Sequence, residues 1–210
     1  MDATEMARYQ EVLARHGDSL RQVCITWCRA GGEGHLAAAL AADLSTAQPR
    51  TISQAAEEAD AQYGRCGRGG TVVVGGLSSW LITIESSDWA GATSVDRLSE
   101  NGEAIALTIN DTMLHYSLFY ARDGDLQCRL RWLDGPAGDI TFLERHLTDL
   151  PMMLDTVPAS EEDSERNASQ VSSDVWKVYA FMLAERITGV RLTADWLDRE
   201  HTRYLRISNR

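Results

Sequence analysis

Two hydrophobic periods run along this chain, and the change from one to the other marks the change of element. From Ala3 to Arg15, Met6, Tyr9, Val12 and Leu13 fall three or four apart and form one helical stripe. His16-Gly17-Asp18 then ends the helix, since glycine favours a helix stop. QVCITWCR has the period of a strand, with Val23, Ile25 and Trp27 on one side and Cys24, Thr26 and Cys28 on the other. HLAAALAADL returns to helical spacing through Leu36, Leu40 and Leu44. SQAAEEADAQYG continues as a second helix with Ser53 as its N-cap.

The centre of the chain is β-rich. Strands are predicted at Thr71–Val74, Ser79–Glu85, Glu103–Ile109, Met113–Ala121 and Leu126–Trp132. Asn110-Asp111 and Asp123-Gly124 separate the later ones, and such pairs turn tightly because Asn and Gly tolerate positive φ. TSVDRLSENG reads as a short helical turn closed by Gly102. A helix is expected from Ile140 to Leu150, stopped by Pro151. SDVWKVYAFMLAERITG is the strongest helical signal. Its apolar residues lie almost all round, at Val175, Trp176, Tyr179, Met182, Leu183 and Ile187, which predicts a buried helix capped by Gly189. Thr193 starts a short final helix, and TRYLRI supplies a last strand. The expected fold is α+β: an antiparallel β-meander sheet of about five to six strands packed against N-terminal and C-terminal helices. One domain over 1–210 is expected, with a mobile acidic loop at about 155–171.

Composition changes this picture in three places. The net charge of −11 argues against nucleic acid, because the arginines are scattered rather than gathered on one face. It suits a basic protein partner instead. Six tryptophans are many for 210 residues and suggest that some mark a partner surface. The start MDATEMARYQ is polar, and no apolar run nears the ~20 residues that span a bilayer. A cytoplasmic protein with no membrane association is therefore expected. Cys24, Cys28, Cys66 and Cys128 lack the paired spacing of a zinc site, so no metal or other cofactor is assigned.

Candidate chemistry is sparse. Gly70-Thr71-Val72-Val73-Val74-Gly75-Gly76 superficially resembles a phosphate-binding loop but lacks its lysine and has a β-branched middle. The LSSWLITIE that follows alternates, with Trp80, Ile82 and Ile84 facing one way and Leu81, Thr83 and Glu85 the other. Gly75–Ser78 is thus expected to be a hairpin turn. The five histidines form no metal-binding pair, and GLSSW is not a nucleophile elbow. No catalytic residue is assigned. The best binding candidates are Trp89, in the loop after a strand end, with Asp88 and Glu85 beside it and Arg97 on the following turn as a partner for these acids.

CITWCR, GGLSSWLITIESSDWAG, RLSENGEA, YARDGDL and ITGVRLTADWL together resemble an uncharacterised actinobacterial (Streptomyces-type) family, classified only as a domain of unknown function. The likeness runs from about Val23 to Leu197. The N-terminal helix and the acidic loop stand apart from it. It implies an α+β cytosolic protein and carries over no activity. The leading expectation is a non-enzymatic protein-interaction module, such as a bacterial immunity or regulatory protein. The alternative is a small-molecule-binding protein or enzyme with a pocket between the sheet and the Asp174–Thr188 helix.

Overall fold

The computed structural model describes residues 3–29, 32–66, 70–152 and 171–206. All but the last residue of the expected acidic loop falls outside them. The order is α1 (Ala3–His16), β1 (Gln22–Cys28), α2 (Glu33–Ala39), β2 (Ala42–Arg50), α3 (Ile52–Cys66), β3 (Thr71–Leu77), β4 (Trp80–Ser86), α4 (Ala90–Thr93) and α5 (Val95–Leu98). Then follow β5 (Glu103–Asn110), β6 (His115–Arg122), β7 (Asp125–Arg131), β8 (Gly135–Gly138), α6 (Glu144–Leu147), α7 (Ser173–Thr188), α8 (Ala194–Asp198) and β9 (His201–Arg206).

The α+β expectation holds, but among the described residues the sheet has nine strands rather than five or six, in the order β2-β9-β3-β4-β1-β5-β6-β7-β8. Every pairing is antiparallel. β3 and β4 are sequential neighbours, as are β5 to β8. β1 lies between β4 and β5, and β9 joins β3 to β2. The two strands that hydrophobic patterning missed outright, β2 and β8, are the sheet's edges. Each carries a proline, Pro49 or Pro136, and β2 shifts register between Asp43 and Gln48. Prolines and bulges belong on edges, where one row of N–H groups has no strand to bond. The HLAAALAADL helix accordingly stops at Ala39; Leu44 lies on β2, 47% exposed.

Other boundaries moved for local reasons. Thr51, not Ser53, caps α3: its Oγ1 accepts from Gln54 N at 3.3 Å while Gln54 Oε1 accepts from Thr51 N at 3.0 Å, a reciprocal capping box. The helix expected over Ile140–Leu150 contracts to Glu144–Leu147, with buried Leu143 and Leu150 in flanking turns. The glycine-flanked valine run is a hairpin, as expected, but its turn is Ser78-Ser79. Gly75 and Gly76 lie inside β3.

Both sheet faces are covered. On the first, α1, α3, α6, α7 and α8 pack onto Ile25, Trp27, Val73, Trp80, Ile82, Ile84, Leu107, Leu118 and Tyr120. α7 is buried around almost its whole circumference; Ser172 caps its start and Gly189, at φ 71°, its end. Trp80 Nε1 donates to Thr188 O at 3.0 Å and ties that end to the sheet. On the second face, α2, α4 and α5 meet the smaller side chains Cys24, Cys28, Val72, Val74, Ala104 and Ala106. Trp27, Trp80, Trp176 and Trp196 are buried, while Trp89 and Trp132 are half-buried against the core. The tryptophans thus pack into or against the interior. Among the described residues, no helix is long and apolar enough to cross a membrane.

Candidate functional site

Glu85 pairs in register with Cys24 and faces the helices of the second face. It is fully buried. Its Oε2 accepts from Ala90 N at 2.9 Å and its Oε1 from Gly91 N at 2.7 Å, so the carboxyl pins α4 to the sheet. Only glycine fits at 91: a Cβ there would collide with Thr26 Oγ1 and lie 2.7 Å from Glu85 Oε1. Burial pushes the Glu85 pKa up to about 7; the Gly91 N–H pulls it back, Asp88 raises it, and Arg206 and the Ala90 N–H lower it. Burial, and then Glu85 itself, push the neighbouring Cys24 thiol well above its ordinary value. Cys24 therefore stays protonated and is a poor nucleophile or metal ligand.

Asp88 is half-exposed and accepts from Trp89 N at 2.7 Å, while its other oxygen forms an ion pair with Arg206. Arg206 also stands 4.0 Å from Glu85. Trp89 packs half-buried against the second-face core. Arg97 is not brought to these acids. It reaches the other way, donating to Ala39 O at 2.5 Å and Ser94 Oγ at 3.3 Å. The cation expected at Arg97 is supplied by Arg206, from the far end of the chain, where local sequence spacing carries no signal for it.

A second arrangement was not singled out in the sequence. A cleft of about 500 Å³ opens between α1, the loop into β1 and the first half of α7. Arg15, Asp18, Arg21, Asp111, Asp174 and Lys177 supply its charged groups. Lys177, the chain's only lysine, is 8% exposed. Its Nζ lies 3.1 Å from Asp111 Oδ1 and 2.8 Å from Asp174 Oδ1. Tyr116 O–H also donates to Asp111 Oδ1, at 3.0 Å. Burial alone would lower the Lys177 pKa, but its hydrogen bonds and attraction to the two aspartates raise it overall. Arg15 is engaged by Asp198 at 2.5 Å. Among the described residues, Arg21 and Asp18 have no side-chain partner, so one free cation and one free anion line the same cleft. No group of three or more His, Cys, Asp or Glu among the described residues is placed to hold a metal ion.

The molecule is thus an α+β protein built on an open antiparallel sheet with helices on both faces. It matches the family of unknown function DUF6461 over residues 21–205, and the chain belongs to that family. The match begins after α1, so one wall of the cleft precedes it. Comparison with curated proteins and with solved structures finds no match.

Proposed function

We propose that the protein works by binding rather than catalysis, and that the cleft between α1 and α7 takes a small polar ligand carrying both charges. The observation that carries this reading is the convergence of Arg21, Asp18, Asp111 and Lys177 on a concavity of about 500 Å³, within the range of about 300–1,000 Å³ typical of small-molecule sites. Lys177, held protonated by two carboxylates, serves as a fixed charge rather than a base or amine nucleophile. Arg21 offers a planar fork for a carboxylate or similar anion, and Asp18 an acceptor for a cationic or donor group. The buried thiols of Cys24 and Cys128 suit a reducing cytoplasm. Saturation-transfer NMR against a library of small zwitterions tests the proposal. A ligand whose signal is lost in a folded Arg21→Gln variant supports it; no ligand, or one unaffected by both Arg21→Gln and Asp18→Asn, counts against it.

A second reading keeps the support of the −11 charge: a basic protein partner held by the acidic surface, as an immunity or regulatory protein would hold one. A stoichiometric partner in native pull-downs, lost at high salt and indifferent to Arg21→Gln, would favour it over the cleft.

A further inference from the structure

The second face of the sheet changes character at β6 and β7. Near β1 it is lined by cysteine, alanine and valine, but further out it carries charge. Ser117 stands directly opposite Arg131, and Phe119 opposite Arg129. Directly paired residues share a face, and His115 joins them two positions before Ser117. Its Nε2 lies 3.2 Å from Ser117 Oγ. The floor is polar as well: Thr108, paired with Ser117, donates its hydroxyl to Ser117 O at 3.3 Å.

Two guanidiniums and an imidazole are therefore gathered here, and among the described residues the ion pair recorded for them is Arg131 with Asp134. Arg129 has no ion-pair partner among the described residues, and its Nε is buried without a hydrogen bond. In a chain of net charge −11, acids were plentiful enough to neutralise this guanidinium, yet none does. A half-buried guanidinium whose Nε lacks a partner, set beside a second one, favours an anion that would complete both.

We propose that His115, Arg129 and Arg131 form a binding site for a phosphate group, either free or at the end of a phosphomonoester. Residues 129 and 131 lie about 7 Å apart along one strand face. Their side chains can converge on a tetrahedral group with several acceptor oxygens, whereas a planar carboxylate fills a single guanidinium fork. The exposed His115 ring supplies a further donor, and the buried Ser117 hydroxyl fixes its orientation through the bond to Nε2. This site lies on the opposite face of the sheet from α1 and α7 and is independent of the proposed cleft.

His115 is also the reporter. Burial first, then Arg131 and Arg129, hold its pKa below the ordinary value, with Asp134 opposing them. A bound phosphate dianion reverses the local charge and should raise that pKa by about 1 unit. The experiment is an NMR titration of the histidine rings in millimolar inorganic phosphate, in glycerol phosphate, and in chloride of matched ionic strength. The proposal expects His115 to move with phosphate but not chloride, His16 to stay put, and the effect to vanish in Arg129→Gln with an otherwise preserved amide spectrum. Arg131→Gln serves where Arg129→Gln does not fold. A response to both phosphates places recognition on the phosphate group; a response to one identifies its source. Identical titrations in phosphate and chloride, or a shift that survives both arginine variants, would overturn the proposal.

Discussion

Glu85 makes the pH dependence of stability calculable. In the folded protein its carboxyl pKa is about 7, against an ordinary 4.5. Between those values the folded state holds a proton that the unfolded chain releases, so this group's contribution is full below about 4.5 and is lost as pH rises through about 7. At about 1.4 kcal/mol per pH unit, the gap amounts to about 3 kcal/mol. Glu85→Gln removes the titration. Its amide also sets an NH2 group against one of the Ala90 and Gly91 N–H donors, a cost of about 1–2 kcal/mol that does not vary with pH. Urea unfolding of both proteins from pH 4 to pH 8 isolates the effect, because every other acid titrates in both and cancels in the difference. The wild-type advantage should shrink by about 3 kcal/mol across that range. A constant difference would mean that Glu85 does not change charge on this path. A growing one would mean that Arg206 and the two amides outweigh burial and hold the carboxylate ionised.

Two further outcomes follow from the packing. Gly75→Ala should destabilise by about 2–3 kcal/mol in thermal or urea melts, because a Cβ there meets His201 Nδ1 and lies 2.8 Å from Trp196 Cζ2. His201 cannot easily yield, since its Nε2 bonds Trp196 O at 2.8 Å and its ring stacks on Trp196 at 3.9 Å. Gly76→Ala, with nothing within 4 Å of its Cβ, is the control and should change stability by less than about 0.5 kcal/mol. Lys177, buried and kept protonated, should resist amine-reactive esters at pH 8 in the native protein and label on unfolding, as read by peptide mass spectrometry. Rapid native labelling would show that the Asp111–Lys177–Asp174 arrangement opens.

The parts of the fold legible in the sequence are those where one residue's neighbours set its environment. The all-round apolar pattern of α7, the caps at Gly189 and Thr193, and the β3–β4 hairpin are of this kind. The alternation in β4 assigned its faces correctly, with Trp80, Ile82 and Ile84 on the first core and Leu81 packed against the second. It could not reveal that the side carrying Thr83 and Glu85 is also covered. The cover comes from short helices rich in Ala and Gly, whose hydrophobic signal is weak. An acid at a strand end therefore read as an accessible binding group when it is a buried pin for α4. The edge strands β2 and β8 failed for a related reason: with a proline each and little apolar area, they are held by backbone pairing that side-chain patterning does not record. Tryptophan count could not separate core from surface. The cleft was least legible, because Asp18, Arg21, Asp111 and Lys177 come from α7 and two separate turns and meet only through the fold.

The binding role assigned to that cleft is tested most directly by mapping backbone amide shifts as a ligand from the zwitterion screen is titrated in. Saturable shifts confined to Gly17, Asp18, Arg21, Asp111, Asp174 and Lys177 and their neighbours are expected, and their loss in Arg21→Gln. Shifts that centre elsewhere, or that persist unchanged in that variant, would contradict it.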